Sequence, residues 1–322
     1  MLACATSSYA LPPSSSPVPA ASPVVAAPAA SPAAVSNAPL ELVVLGSGGP
    51  GATGRASSSN VVLIDGIPRI LIDAGSGAFA RLGEAHLALG QIDTILLTHL
   101  HIDHAGELAG LMKARAVSSP GPITFRIFGP GGAPGRGGGA YFPSTRRFLE
   151  LLFGSRGAFA YLRDFSAPIA LEAHDFPVSP GAGREVRTIV SEPAWSVSAV
   201  AGHHGDAPAV IYRIDHAGAS ITFSGDIDHR GLEGLTRIAH GSDLLVFNSA
   251  VLDPPDSPQI IYSLHTPPRA IGEIARDAGV HSLLLSHLSP ATDERRDAVL
   301  QSIRRSYQGP VRFAEDGLRV QP

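Results

Sequence analysis

The chain has 322 residues, 44% of them hydrophobic and 16% charged, with a formal net charge of -4 at neutral pH. That balance suits one large apolar core and supplies no global basic field to draw the protein to nucleic acid or to an acidic membrane face. The single cysteine, Cys4, excludes an internal disulfide framework and any cysteine-based zinc site, so a metal would have to rest on histidines and carboxylates.

Residues 1–39 are almost wholly Ala, Pro, Ser and Val, as in PPSSSPVPAASPVVAAPAASPAAV, with no periodicity and too little bulk to bury. They read as a disordered, proline-stiffened tether. The head, MLACATSS, places Leu2-Ala3-Cys4 before small polar residues, like the end of a bacterial lipoprotein signal that lacks its basic and apolar leader. With an upstream start, Cys4 is a lipid anchor and the protein a periplasmic or outer-membrane-anchored lipoprotein. With Met1 as the start, the chain is cytoplasmic and the tail idle.

Residues 40–322 form the second region, one catalytic domain. β-type runs occur at 41–46, 60–65, 69–75, 93–99, 123–129, 195–202, 209–215, 220–226, 243–248 and 282–287. Helical patterns fall at 76–89, 105–116, 144–153, 229–240, 267–278 and 293–307. Apolar strands interleaved with amphipathic helices imply helix-covered sheets, an α/β or α+β architecture. GPGGAPGRGGGAYFP at 129–143 interrupts that order as a flexible insertion, and no internal repeat stands out. The pairs Arg146/Arg147, Arg295/Arg296 and Arg304/Arg305 sit in helical segments and read as solvated faces. No run approaches the ~18 apolar residues a membrane-spanning helix needs.

The chemistry concentrates in TILLTHLHIDHAGEL, residues 94–108. His99 leaves a buried strand and His101 follows two positions later, on the same side if the chain stays extended, so both imidazoles can share one ion. Asp103 and His104 come where a helix starts and face a second point nearby. That spacing suits two divalent cations, zinc or a similar ion, bound by nitrogen and oxygen and able to activate one water between them. Two ions need further ligands, and the other candidates also lie where apolar strands end: GHHGD at 202–206, SGD at 224–226 and LLLSHLSP at 283–290.

THLHIDH resembles the HxHxDH signature of the metallo-β-lactamase-fold hydrolases. LGSGGPGATGRASSSNVVLID, ILIDAGSG, HHGDAPAVIYRI, ITFSGD and LLLSHLSP resemble, in order, motifs of the ribonuclease Z and arylsulfatase-like branch. The resemblance implies an α+β fold, the αββα four-layer sandwich, with a dinuclear centre at the sheet edge. The metals would be two divalent ions, usually Zn2+, with Mn2+ or Fe2+ as the other choices. It implies that His99, His101 and His204 hold the first metal, that Asp103, His104 and His287 hold the second, and that Asp226 bridges them. His204 is preferred to His203 because His-Gly-x-x-Pro-Ala matches His204 through Ala209. Asp73 would buttress the ligands, its plainer reading being a turn-former before glycine. A homodimer is also implied.

Hydrolysis is the reaction these features suggest, on a phosphodiester or similar oxyanion ester, with Asp103 able to take the proton of the attacking water. His265, in LHTPP, matches a histidine that assists the leaving group in ribonuclease Z-type enzymes; a surface histidine before a helix is the alternative. The family's His-Glu-Ala-Thr relay is replaced by Phe247-Asn248-Ser249-Ala250, so His265 should titrate near its ordinary ~6.5. The missing glutamate and the lack of a lysine-rich clamp argue against tRNA and for a small-molecule or ester substrate. Another ester or lactam hydrolase, or a non-catalytic periplasmic metal- or ligand-binding protein, are the alternatives. His86, His174, His216, His229, His240 and His281 lack comparable context and read as surface or satisfied core residues.

Overall fold

The computed structural model describes residues 38–51, 53–118, 121–134, 141–165, 168–178, 185–253 and 259–322. Cys4, nearly all of the expected tether and the centre of the glycine-rich insertion, 135–140, lie outside the described residues. The first sheet runs, in spatial order, β14 (Arg319–Val320), β1 (Leu40–Gly46), β2 (Ser59–Ile64), β3 (Ile67–Ile72), β4 (Thr94–Leu96), β5 (Ile123–Pro130) and β6 (Ile169–Phe176). The second runs β13 (Val311–Phe313), β12 (Ser282–Ser286), β11 (Leu244–Asn248), β10 (Ala219–Phe223), β9 (Val210–His216), β8 (Trp195–Ala201) and β7 (Arg187–Ser191).

Each sheet is antiparallel through its hairpins and parallel thereafter: β14 to β3 antiparallel then β3 to β6 parallel, and β7 to β10 antiparallel then β10 to β13 parallel. Parallel neighbours need crossovers, and helices supply them. On the first sheet these are α1 (Ala78–Glu84), α2 (Ile102–Ala105), α3 (Leu108–Val117) and α4 (Thr145–Phe153); on the second, α5 (Leu232–Ile238), α6 (Gln259–Leu264), α7 (Pro268–Asp277), α8 (Pro290–Glu294) and α9 (Arg296–Ile303).

Period-two alternation builds the layers. Leu42 and Val44 face an apolar cluster shared with Tyr212, Ile214, Val246 and Leu284 of the other sheet, whereas Val43 and Leu45 point outward to Leu82, Leu108 and Phe153 of the helices. A third cluster packs Leu245 and Leu285 under Leu235, Ile271 and Ile303. Helices on sheet on sheet on helices is the expected αββα sandwich. The strand runs of the parallel halves end at one edge, which gathers the candidate residues.

The four strands not foreseen, β6, β7, β13 and β14, are the outer strands of the two sheets. Edge strands are half solvated, so they lack the apolar runs that betray a central strand. The helical stretch expected at 105–116 begins earlier and breaks between Ala105 and Leu108, and the one at 293–307 is two helices, the first opened by a Ser289/Thr292 capping box. Helix α6 was not foreseen; it buries no residue and has no periodic signal. No helix among the described residues is long and apolar enough to cross a membrane.

Candidate metal centre

Beyond β4 the chain turns sharply. His99 is fully buried, His101 takes the extended N-cap position of α2, and Asp103 and His104 occupy that short helix. Asp73, at the end of β3 with φ +58°, accepts from the Thr98 backbone at 2.7 Å and from its hydroxyl at 2.8 Å. Its Oδ2 also lies 2.7 Å from Nδ1 of His104, which leaves Nε2 of that ring facing inward. His204, after β8, is fixed the same way: Nδ1 donates to the Leu264 carbonyl at 2.8 Å. Orienting one ring nitrogen through a hydrogen bond from the other is how metal-binding imidazoles are usually held. His287 follows β12 in the left-handed region at φ +55°, and a side chain on Gly49 would strike its ring at 2.8 Å.

These residues converge. His99, His101 and His204 form one group whose ligand-type atoms lie within 4.8 Å of one another, and Asp103, His104 and His287 form another. Oδ2 of Asp226, just past β10, stands between them, 4.0 Å from Nε2 of His99, 3.7 Å from those of His104 and His204, and 3.3 Å from that of His287. Asp103 Oδ2 is 3.2 Å from His287 Nε2.

His203 turns elsewhere, its Nδ1 2.7 Å from Asp228 Oδ2. His265 is no surface histidine: its side chain is only 10% exposed and its Nδ1 lies 3.9 Å from Asp226 Oδ2. Asn248 does not partner His265 as a relay residue would; its amide donates to Asp226 Oδ1 at 2.7 Å. Phe142, from the end of the glycine-rich insertion, places its ring 6.1 Å from that of His101. Of the histidines read as bland, His216 is buried and bonded to Ala194 O and Asp65, His174 stacks on Phe128, and His281 is largely exposed.

Electrostatics fit cation binding. Burial, reinforced by His104, holds the His99 imidazole well below its ordinary range, and burial with His204 lowers His101, so both offer lone pairs. Burial opposes charge on Asp226, but His287 and His104 outweigh it and hold the carboxyl well below the usual range. Burial likewise opposes ionisation of Asp103, yet the His287 hydrogen bond and nearby histidines keep it low. His104 runs the other way: burial is overcome by Asp73 and Asp226, which raise it well above its ordinary range, so a cation bound there would have to displace the Nε2 proton. His265 is pushed down to about 4, chiefly by burial, contrary to the expectation of an ordinary value. Nε2 of His104 and Nδ1 of His265, 3.7 and 3.9 Å from Asp226 Oδ2, are buried without a hydrogen-bond partner. Orphaned nitrogens around ionised carboxylates suit divalent cations that take nitrogen and oxygen ligands.

Thr98, the Leu264 carbonyl, Asp228 and Gly49 support the site but were not singled out in the sequence. Only Gly49, within SGGPG, carried even a local signal.

Residues 54–263 match the family described as the Metallo-beta-lactamase superfamily. A ribonuclease Z from Mycobacterium avium (strain 104) is 28% identical over 290 residues, covering 88% of this chain and 98% of that protein. Among solved structures, the metallo-beta-lactamase fold protein YhfI from Bacillus subtilis aligns with TM-score 0.64 and 18% identity over 88% of this chain and 100% of its own. Human tRNase Z, short form, aligns with TM-score 0.63 and 22% identity over 88% and 99%. The histidine and aspartate cluster at the sheet edge, the sandwich that carries it and the match across most of the domain have one common meaning: the chain belongs to the metallo-beta-lactamase superfamily, as a metal-dependent hydrolase with ribonuclease Z homologues.

Proposed function

We propose that the protein hydrolyses phosphodiesters or similar oxyanion esters at a pair of divalent metal ions, zinc first, with manganese or iron(II) as substitutes. The observation that carries this is Oδ2 of Asp226 standing between two ligand groups, 3.7 Å from His204 Nε2 on one side and 3.3 Å from His287 Nε2 on the other. In this reading His99, His101 and His204 hold one ion, Asp103, His104 and His287 the other, and Asp226 both. Such a pair supplies the positive charge that lowers the pKa of water toward ~7 and polarises an ester oxygen.

The chain's own groups do the rest. Asp103, ionised and in reach of the cluster, accepts the proton of the attacking water. His265 is buried and neutral, so it offers an N–H to the developing negative charge of the ester rather than a full proton. A bridging carboxylate favours hard oxygen ligands, which supports phosphate-like esters over lactams. Asn248 in the relay position and a net charge of -4 favour a small ester over tRNA.

The test is metal analysis joined to hydrolysis of bis(p-nitrophenyl) phosphate and p-nitrophenyl sulfate. Close to two ions per chain and a rate abolished by chelator and restored by zinc are expected. Two ions without turnover would leave a metal- or ligand-binding protein; turnover of lactams alone would move the substrate class; no metal uptake would end the reading.

A further inference from the structure

Asn248 ends β11, and both neighbouring strands lead into the site. On one side β10 continues into Ser224, Gly225 and Asp226; on the other, Asn248 is in register with Ser286, which precedes His287. Past the last β10–β11 pair the two chains are joined by hydrogen bonds of another kind. The Asn248 backbone N–H donates to Ser224 Oγ at 3.1 Å, and its side-chain amide donates to Asp226 Oδ1 at 2.7 Å. An ionised carboxylate only accepts, so the amide must turn its NH2 group toward it. The residue is buried, 6% exposed, so water cannot easily replace this bond.

A carboxylate has two equivalent oxygens, and rotation of the group would let either or both face the imidazoles. The Asn248 bond removes that equivalence. Oδ1 accepts the Asn248 amide, and Oδ2 is the oxygen that lies 3.3 to 4.0 Å from ring nitrogens of His99, His104, His204, His265 and His287. We infer that Asn248 is a positioning residue that fixes Asp226 so that a single oxygen is shared between two cations, and that it thereby sets the affinity of the pair. This rests on the dinuclear reading above and gives the position a role unlike that of the glutamate the resemblance implies there. A glutamate reaching the same atom would set one carboxylate against another, forcing one to bind a proton or turn away.

The test is cobalt(II) titration of the metal-stripped full chain, for wild type, Asn248→Ala and Asn248→Asp, read by visible ligand-field absorption and by competition with a chromophoric chelator. Wild type should take up two ions. Both variants should bind at least one of them ~10–100-fold more weakly, the usual cost of losing a hydrogen-bond partner of a ligand. Their ligand-field bands should shift, while the metal-free melting temperature stays near that of wild type. Unchanged affinities and spectra overturn the inference. So does loss of the metal-free melting transition in both variants, because Asn248 would then hold the strand rather than the carboxylate. A wild-type protein that binds one cobalt or none sinks the dinuclear reading itself, which separates the two failures.

Discussion

Asp73 Oδ2 lies 2.7 Å from Nδ1 of His104, and the same carboxylate receives the Thr98 backbone N–H at 2.7 Å. One buried acid thus ties the end of β3 to the end of β4 and selects the His104 tautomer whose Nε2 faces the cluster. Asp73→Asn keeps the shape but removes the charge. Zinc affinity, by chelator competition, should fall ~10–100-fold. Unchanged affinity would reduce Asp73 to the turn-former that its φ of +58° also fits.

The residues that hold the site were legible to different degrees, for physical reasons. His99, His101, Asp103 and His104 declare themselves because four chemically active side chains crowd one strand end. His204, Asp226 and His287 follow because each ends an apolar run, and strand ends are where such folds gather their chemistry. The Leu264 carbonyl that orients His204 is invisible in sequence, since every residue has a carbonyl and α6 buries no residue to announce itself. Asn248 stands where the family resemblance implies a glutamate, but its bond to Asp226 depends on β10 ending at Phe223 while β11 runs on to Asn248, which no linear pattern records. The outer strands were missed because half-solvated edges blur the alternation.

The neighbouring histidines of GHHGD separate by their partners. His203 is engaged by Asp228, whereas His204 Nε2 faces Asp226 at 3.7 Å. His204→Ala should lower bound metal by about one ion per chain. His203→Ala should leave the content unchanged, because Asp228 also accepts from the Gly205 backbone at 3.1 Å and keeps the turn in place. Elemental analysis of both variants decides this, and equal losses would show that the turn, not the ligand, had been damaged.

For His265 the structure reverses the pattern of losses that its sequence context suggested. A proton donor would matter chiefly for a poor leaving group, but burial pushes this imidazole down to about 4 and keeps it neutral at working pH. A neutral N–H that stabilises developing charge helps every substrate. His265→Ala should therefore lower kcat by ~10²-fold on both a nitrophenyl and an alkyl phosphodiester, as loss of one oxyanion donor does. A loss confined to the alkyl ester would restore the proton-donor role.

The last prediction concerns the loop that presses Gly49 onto His287. Arg55, in that loop, pairs with Asp293 of α8 at 2.8 Å, and Arg296 Nε reaches the same carboxylate at 2.7 Å. Burial opposes ionisation of Asp293, but the Arg296 and Arg55 hydrogen bonds prevail and hold its pKa below the ordinary value. A depressed carboxylate contributes stability that is complete above the unfolded pKa of ~4 and is lost as pH falls through the lower folded value. Asp293→Asn should thus cost roughly 1–2 kcal/mol at neutral pH, the scale of charge-assisted hydrogen bonds at a partly exposed site. The gap from wild type should close only as pH falls through the lowered folded value, below the ordinary carboxylate range, where wild type becomes protonated too. Urea unfolding of metal-free protein across that range measures it, chelation keeping acid-driven release of any bound metal out of the comparison. A gap that stays constant down to the lowest pH would assign the loss to packing of the α8 end rather than to the ion pairs. A gap that widens toward acid would mean that Asp293 is raised rather than depressed in the folded protein, the opposite of what its two arginines impose.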